Sequence, residues 1–91
     1  MSINEVHLND LYSTILKLNT VEECKAFLED LCTHKEIEQM AQRITAAKCL
    51  LAGETYESVI KKTDISSATL SKVSKAIKYG KGYKSVLTNE N

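Results

Sequence analysis

An all-α fold is predicted by three features of the sequence. The 91 residues include no proline and only three glycines, and no alternating β-branched run is long enough for a strand. Apolar residues instead recur at i, i+3, i+4 and i+7, in segments that open on hydroxyl–carboxylate capping pairs. A chain of this length makes one domain and buries only about two-thirds of its unfolded surface. With one Phe and no Trp, the core has to come from Leu, Ile, Val and Ala.

The first helix is announced by Ser2-Ile3-Asn4-Glu5, a capping-box spacing, and Leu8, Leu11, Tyr12, Ile15 and Leu18 mark one face. Only Asn19 and Thr20 are expected before a second box, Thr20-Val21-Glu22-Glu23, opens a helix with Cys24, Phe27, Leu28 and Leu31 on its apolar side. So short a connection favours antiparallel or sharply angled neighbours. A third box, Thr33-His34-Lys35-Glu36, opens the longest helix, which continues to Ala52 and spans roughly 28 Å. Ile37, Met40, Ala41, Ile44, Ala47 and Leu51 form its stripe, widened near the end by Cys49 and Leu50. Three helices each too apolar on one side to stand alone imply that a second copy of the chain covers part of this surface. Gly53 suits the left-handed stop of the long helix, and Thr55 the cap of the next.

The stretch YESVIKKTDISSATLSKVSKAIKY, residues 56–79, is a helix-turn-helix pattern. Val59 and Ile60 line the first helix, Asp64, Ile65 and Ser66 make the break, and Leu70, Val73 and Ile77 recur on the second helix. At 100° per residue the opposite side carries Ala68, Ser71, Lys72, Lys75 and Tyr79, flanked by Ser67 and Lys78. Small hydroxyls in the first turn followed by lysines suit a helix offering its start to base edges and its later turns to phosphates. The competing reading is an αα corner with a solvated lysine face. Gly80 is expected to stop the second helix. Beyond it, residues 81–84 read as a flexible basic tail running into a frayed SVLTNEN.

Charge segregation favours the nucleic-acid reading. The formal net charge is zero, but residues 1–40 hold eight acids and three bases, whereas residues 41–91 hold nine bases and four acids. Seven lysines against the single Asp64 lie between Lys61 and Lys84, a local field that attracts a polyanion. No run approaches the ~20 apolar residues of a membrane span, and MSINEVHLND lacks a signal-peptide layout, so a cytoplasmic protein without membrane association is expected. Cys24, Cys32 and Cys49 form no CxxC pair and, with His7 and His34 scattered, give no zinc spacing. They read as buried small hydrophobes. There is no glycine-rich phosphate loop and no histidine with a nucleophile at motif spacing, so neither an enzyme nor a cofactor is expected.

On these residues the chain resembles the Trp repressor superfamily, and within it the Trp repressor-like YerC/YecD group. The likeness runs without a gap over residues 33–77, half the chain, and rests on LLAGE at residues 50–54 and ISSATLSKVSKAI at residues 65–77. It implies N-terminal helices of two subunits interlaced into a dimer core, residues 1–53, with a helix-turn-helix head, residues 54–79, and the tail, residues 80–91. It also implies a transcriptional regulator, expected to be a repressor, on a two-fold related operator. Carried over residue by residue, the family's effector pocket falls on Thr33, Arg43, Thr69, Lys72, Val73 and Ala76. The resemblance places an arginine, a glycine and a serine where this chain has Lys72, Val73 and Ala76. Lysine lacks the bidentate fork, valine fills space needed by a flat ring, and alanine accepts no hydrogen bond. Tryptophan is therefore not expected as the ligand, and the effector is left open.

The reading is thus a homodimer that contacts double-stranded DNA through Ser66, Ser67, Ala68, Thr69, Ser71, Lys72 and Lys75, with Lys78, Lys81 and Lys84 on phosphates. The alternative is a protein-interaction module that binds through its acidic N-terminal helices and keeps the motif only as scaffold.

Overall fold

The computed structural model describes residues 3–88 and is built from six helices: α1 (Ile3–Ile15), α2 (Val21–Leu31), α3 (His34–Leu51), α4 (Tyr56–Thr63), α5 (Ser67–Tyr79) and α6 (Gly82–Leu87). No strand occurs among the described residues, in agreement with the all-α expectation. The chain divides into two compact units, Met1–His34 and Lys35–Asn91.

In the first unit, Ser2 of the expected capping box lies outside the described residues. The helix α1 ends three residues before Leu18, so the connection to α2 is residues 16–20 rather than Asn19 and Thr20 alone. Its last turn tightens as Lys17 N–H donates to the Thr14 carbonyl at 3.0 Å and Leu18 N–H to that of Ile15 at 3.1 Å. Bonds of this i to i−3 kind close a helix off even where the apolar pattern runs on. The second capping box forms with a shift of one residue. Thr20 Oγ1 accepts from Glu23 N–H at 3.0 Å, while the Glu23 carboxylate accepts from the N–H of Asn19 at 2.8 Å rather than from that of Thr20. No described residue of this unit is buried. Leu8, Leu11, Tyr12 and Ile15, one face of α1, are 36–57% exposed.

The second unit holds the core. Ala46, Ala47, Val59, Ile65, Leu70 and Val73 are buried, with Cys49, Leu50, Ile60, Ile77, Tyr83 and Leu87 packed around them. Two alanines on α3 form the floor on which the larger side chains of the motif rest. The stripe expected on α3 is therefore divided: Ala47 faces the core beside Ala46, but Ala41 and Ile44 are exposed, Ile44 at 47%. The three cysteines are half-buried rather than buried.

The end of α3 is a Schellman stop. Gly53 N–H donates to the Leu50 carbonyl at 3.0 Å, Glu54 N–H to that of Cys49 at 3.1 Å, and Gly53 holds φ 89°, the left-handed geometry expected of it. The segment read as a flexible tail folds instead into α6. Tyr83 and Leu87, one turn apart on α6, pack against the core and order a segment whose composition alone suggests a tail. No helix of the described residues is long and apolar enough to cross a membrane.

Candidate nucleic-acid interface

The motif boundaries match the sequence expectation: α4 ends at Thr63, three residues turn, and α5 starts at Ser67. Local chemistry sets each of them. Thr55 Oγ1 caps α4 by accepting from Ser58 N–H at 3.2 Å. Asp64 ends α4 in the left-handed region, at φ 60° and ψ 21°, with its N–H on the Ile60 carbonyl at 2.9 Å. Ile65 is then driven into the core at 2% exposure, which fills the angle between the helices. Ser66 caps α5: its Oγ accepts from Thr69 N–H at 3.1 Å and donates to Thr69 Oγ1 at 2.8 Å. Its hydroxyl is thus engaged in ending the turn, a role that the reading of Ser66 as a DNA contact leaves out.

The two sides of α5 separate as its periodicity predicts. Leu70 and Val73 are buried and Ile77 half-buried, whereas Ser67, Ala68, Ser71, Lys72, Lys75, Lys78 and Tyr79 are exposed. Thr69 is half-buried, and Lys81 and Lys84 are exposed beyond the end of α5. There is no acid on α5, so cationic side chains, small hydroxyls, the Ala68 methyl group and the Tyr79 ring make up the open side. The Lys78 ammonium lies 6.0 Å from the centre of the Tyr79 ring, at the outer limit of a cation–π contact. Gly80 is required where α5 stops, because a Cβ there would come within 2.6 Å of the Ala76 carbonyl oxygen.

Two polar attachments fix α4. Along one side of it the Glu54 carboxylate accepts from Ser58 Oγ in the first turn at 2.9 Å and from Lys62 Nζ in the last at 2.8 Å. The hydrogen bond from Lys62, then that from Ser58, holds the Glu54 carboxyl below its ordinary range, and the same pairing raises Lys62. Desolvation and then a hydrogen bond to Glu54 push the Cys49 thiol up. At the end of α4 the Gln42 amide donates to the Thr63 carbonyl at 2.9 Å. Spacing hints at the first attachment, since Glu54, Ser58 and Lys62 recur every fourth residue. Nothing local marks Gln42.

Within the second unit, two of the candidate effector residues are brought together and a third lies on another cavity. Arg43 and Thr69 share a polar cavity of about 370 Å³ with Gln39, Gln42, Asp64 and Ser66. Ala76 lines a different, apolar cavity of about 480 Å³ with Ile44, Gly80, Tyr83, Val86 and Leu87. Val73 lies in the core, Lys72 is exposed, and Thr33 belongs to the first unit. Valine at position 73 closes into the apolar core, and lysine at 72 extends to solvent.

Comparison with known proteins matches residues 6–91 to the Trp repressor protein family. The uncharacterized protein YerC of Bacillus subtilis (strain 168) is 42% identical over 73 residues, which cover 80% of this chain and 70% of YerC. A crystal structure of a candidate Trp repressor from Staphylococcus aureus superposes with TM-score 0.87 at 35% identity, covering 97% of this chain and 92% of that one. The crystal structure of a TrpR-like protein from Eubacterium eligens superposes with TM-score 0.85 at 37% identity, covering 90% and 86%.

Proposed function

The chain belongs to the Trp repressor family, and from that premise we propose that it is a homodimeric, sequence-specific DNA-binding repressor that reads a two-fold related operator through α5. The observation that carries this reading is the open side of α5, where Ser67, Ala68, Ser71, Lys72 and Lys75 are exposed on a helix free of acids and anchored from behind by Leu70 and Val73. Such a side can enter a major groove, with base edges met by the first turns and phosphates by Lys78, Lys81 and Lys84. Dimerisation is supported by the first unit, where no described residue is buried and an apolar face of α1 is open. Helices of a second copy would remove that face from water. Two heads on a two-fold axis then read half-sites about 10 bp apart or a multiple of it.

Binding in this proposal is independent of L-tryptophan. The exposure of Lys72, the burial of Val73 and the position of Ala76 on a separate cavity all support it. Calorimetry and gel shifts with millimolar L-tryptophan are expected to give neither saturable binding nor a gain in operator affinity. A tenfold gain would refute this part of the reading.

The test of the main reading is the salt dependence of DNA retention. Replacing Lys75, Lys78 and Lys81 together by alanine should flatten the slope of log K against log salt by about five in a dimer, near 0.9 per lost phosphate contact, with Lys75 in the later turns of α5 counted beside Lys78 and Lys81. Ser71→Ala should weaken binding to some sequences only. An unchanged slope in the triple variant would exclude α5 as the contact surface. It would leave the acidic, apolar N-terminal helices as the binding surface of a protein-interaction module.

A further inference from the structure

We infer that Gln42 is the positioning residue that locks the turn of the helix-turn-helix, and with it the direction of α5, to the long helix α3. The role in reading DNA rests on the function proposed above, whereas the lock itself does not. The peptide unit joining Thr63 to Asp64 is held at both of its polar ends. Its N–H donates to the Ile60 carbonyl at 2.9 Å, and its carbonyl accepts from the Gln42 amide at 2.9 Å. A peptide plane fixed in this way cannot rotate without breaking both bonds. Its rotation is the motion that would take Asp64 out of the left-handed region, because φ of Asp64 turns with that plane. Asp64 stands at φ 60°, a conformation that an L-residue holds only at some cost. The geometry of the turn therefore needs an external restraint, and a side chain reaching across from α3 supplies one.

Thr63 concentrates the effect. Its hydroxyl donates to the Val59 carbonyl at 2.8 Å and accepts from Ile65 N–H at 3.3 Å. One residue thus ties together the end of α4, the left-handed turn and the start of the buried plug. Glu54 bonds Ser58 in the first turn of α4 and Lys62 in its last and so braces the helix along one side. With the end of α4 tied to α3 through Gln42, α5 keeps one direction. In a dimer that direction sets the spacing of the two heads, so the lock serves operator reading more than general affinity for DNA.

The experiment compares Gln42→Met, which keeps the length of the side chain and loses the donor, with Gln42→Lys, which restores a donor. Amide hydrogen exchange of the full chain is read at Asp64 and Ile65 and, as internal reference, at the interior of α3. In Gln42→Met, Asp64 and Ile65 should lose protection about tenfold while α3 keeps its own, and Gln42→Lys should restore it. Operator affinity in Gln42→Met should fall about tenfold with the salt slope unchanged, because no cation is removed. Unchanged protection at Asp64 overturns the lock, and so does a loss spread equally over α3, which marks general loosening. If Asp64 loosens as expected while the unaltered protein retains no DNA, the lock stands and the DNA-binding reading falls.

Discussion

Asp64 offers a direct measurement of how much the turn depends on left-handed geometry. At φ 60° and ψ 21° an L-residue carries a steric penalty of about 1–2 kcal/mol, less for aspartate than for alanine and most for a β-branched side chain. Glycine removes the penalty but loses about 0.5–1 kcal/mol of backbone entropy on folding. Asp64→Gly should therefore fall between neutral and about 1 kcal/mol more stable. Asp64→Ala should destabilise by about 1 kcal/mol and Asp64→Val by about 2 kcal/mol. The side chain is exposed, so the series reports on the backbone rather than on lost packing. Urea unfolding at one fixed protein concentration is the assay, because association would make the midpoint depend on concentration. With a slope near 1 kcal/mol/M for so small a protein, valine should move the midpoint by about 2 M relative to the unaltered chain. A valine variant as stable as the aspartate, or an alanine variant above the glycine, would refute the argument that the turn is held in this conformation.

Three further outcomes follow from the second unit. Leu70→Ala leaves a hole at a fully buried position beneath the open side of α5, and should cost about 2–5 kcal/mol by urea unfolding, with DNA retention lost in parallel. The Glu54 carboxyl is held below its ordinary range by Lys62, so its contribution is present above the ordinary carboxylate range and lost as pH falls through the lower folded value. The raised Cys49 thiol and Lys62 ammonium contribute below their ordinary values and are lost as pH rises through the higher ones. Thermal melts should thus show a plateau falling off below about pH 4 and at alkaline pH, and Glu54→Gln should remove the acid limb contributed by this group. Deleting residues 81–91 exposes the apolar surface that Tyr83 and Leu87 cover and should lower the melting temperature. A stability equal to that of the full chain would return the segment to the flexible tail that its composition suggests.

What was legible in the sequence was what neighbouring residues decide among themselves. Thr55 and Gly53 announce helix ends by hydroxyl reach and tolerance of positive φ, and each acts as expected. The inward side of α5 followed from the 3.6-residue period of Leu70, Val73 and Ile77, because a helix with one buried stripe has few ways to place them. Illegible were choices made between distant elements. Ala46 and Ala47 both lie in the core, but only Ala47 belongs to the apolar stripe. Alanine carries too little hydrophobic signal to show that both of them face the core. Ile44 belongs to the stripe by period and is nevertheless open, since α3 presents more apolar surface than the motif covers. Tyr83 and Leu87 were spaced as a helix face but lay behind Gly80 and Gly82 among lysines, where local propensity argues for a tail.

The same division bears on the effector positions. A resemblance carried over residue by residue transfers positions along the chain, but a pocket depends on the volume left between side chains. Val73 exchanges open space for burial at 2% exposure, so the position that would admit a ring in the family instead contributes to holding α5 in place. The polar cavity that remains around Arg43 and Thr69 is bordered by Gln42 and Asp64, the two residues whose backbone and side-chain geometry define the turn. A change that loosens the turn must therefore alter this cavity as well. Conversely, an occupant of the cavity could act on DNA binding only to the extent that it favours one state of the turn over another. With the Thr63–Asp64 peptide held at both ends, the protein already supplies that preference from its own side chains, which is the physical reason behind the proposal that binding needs no corepressor.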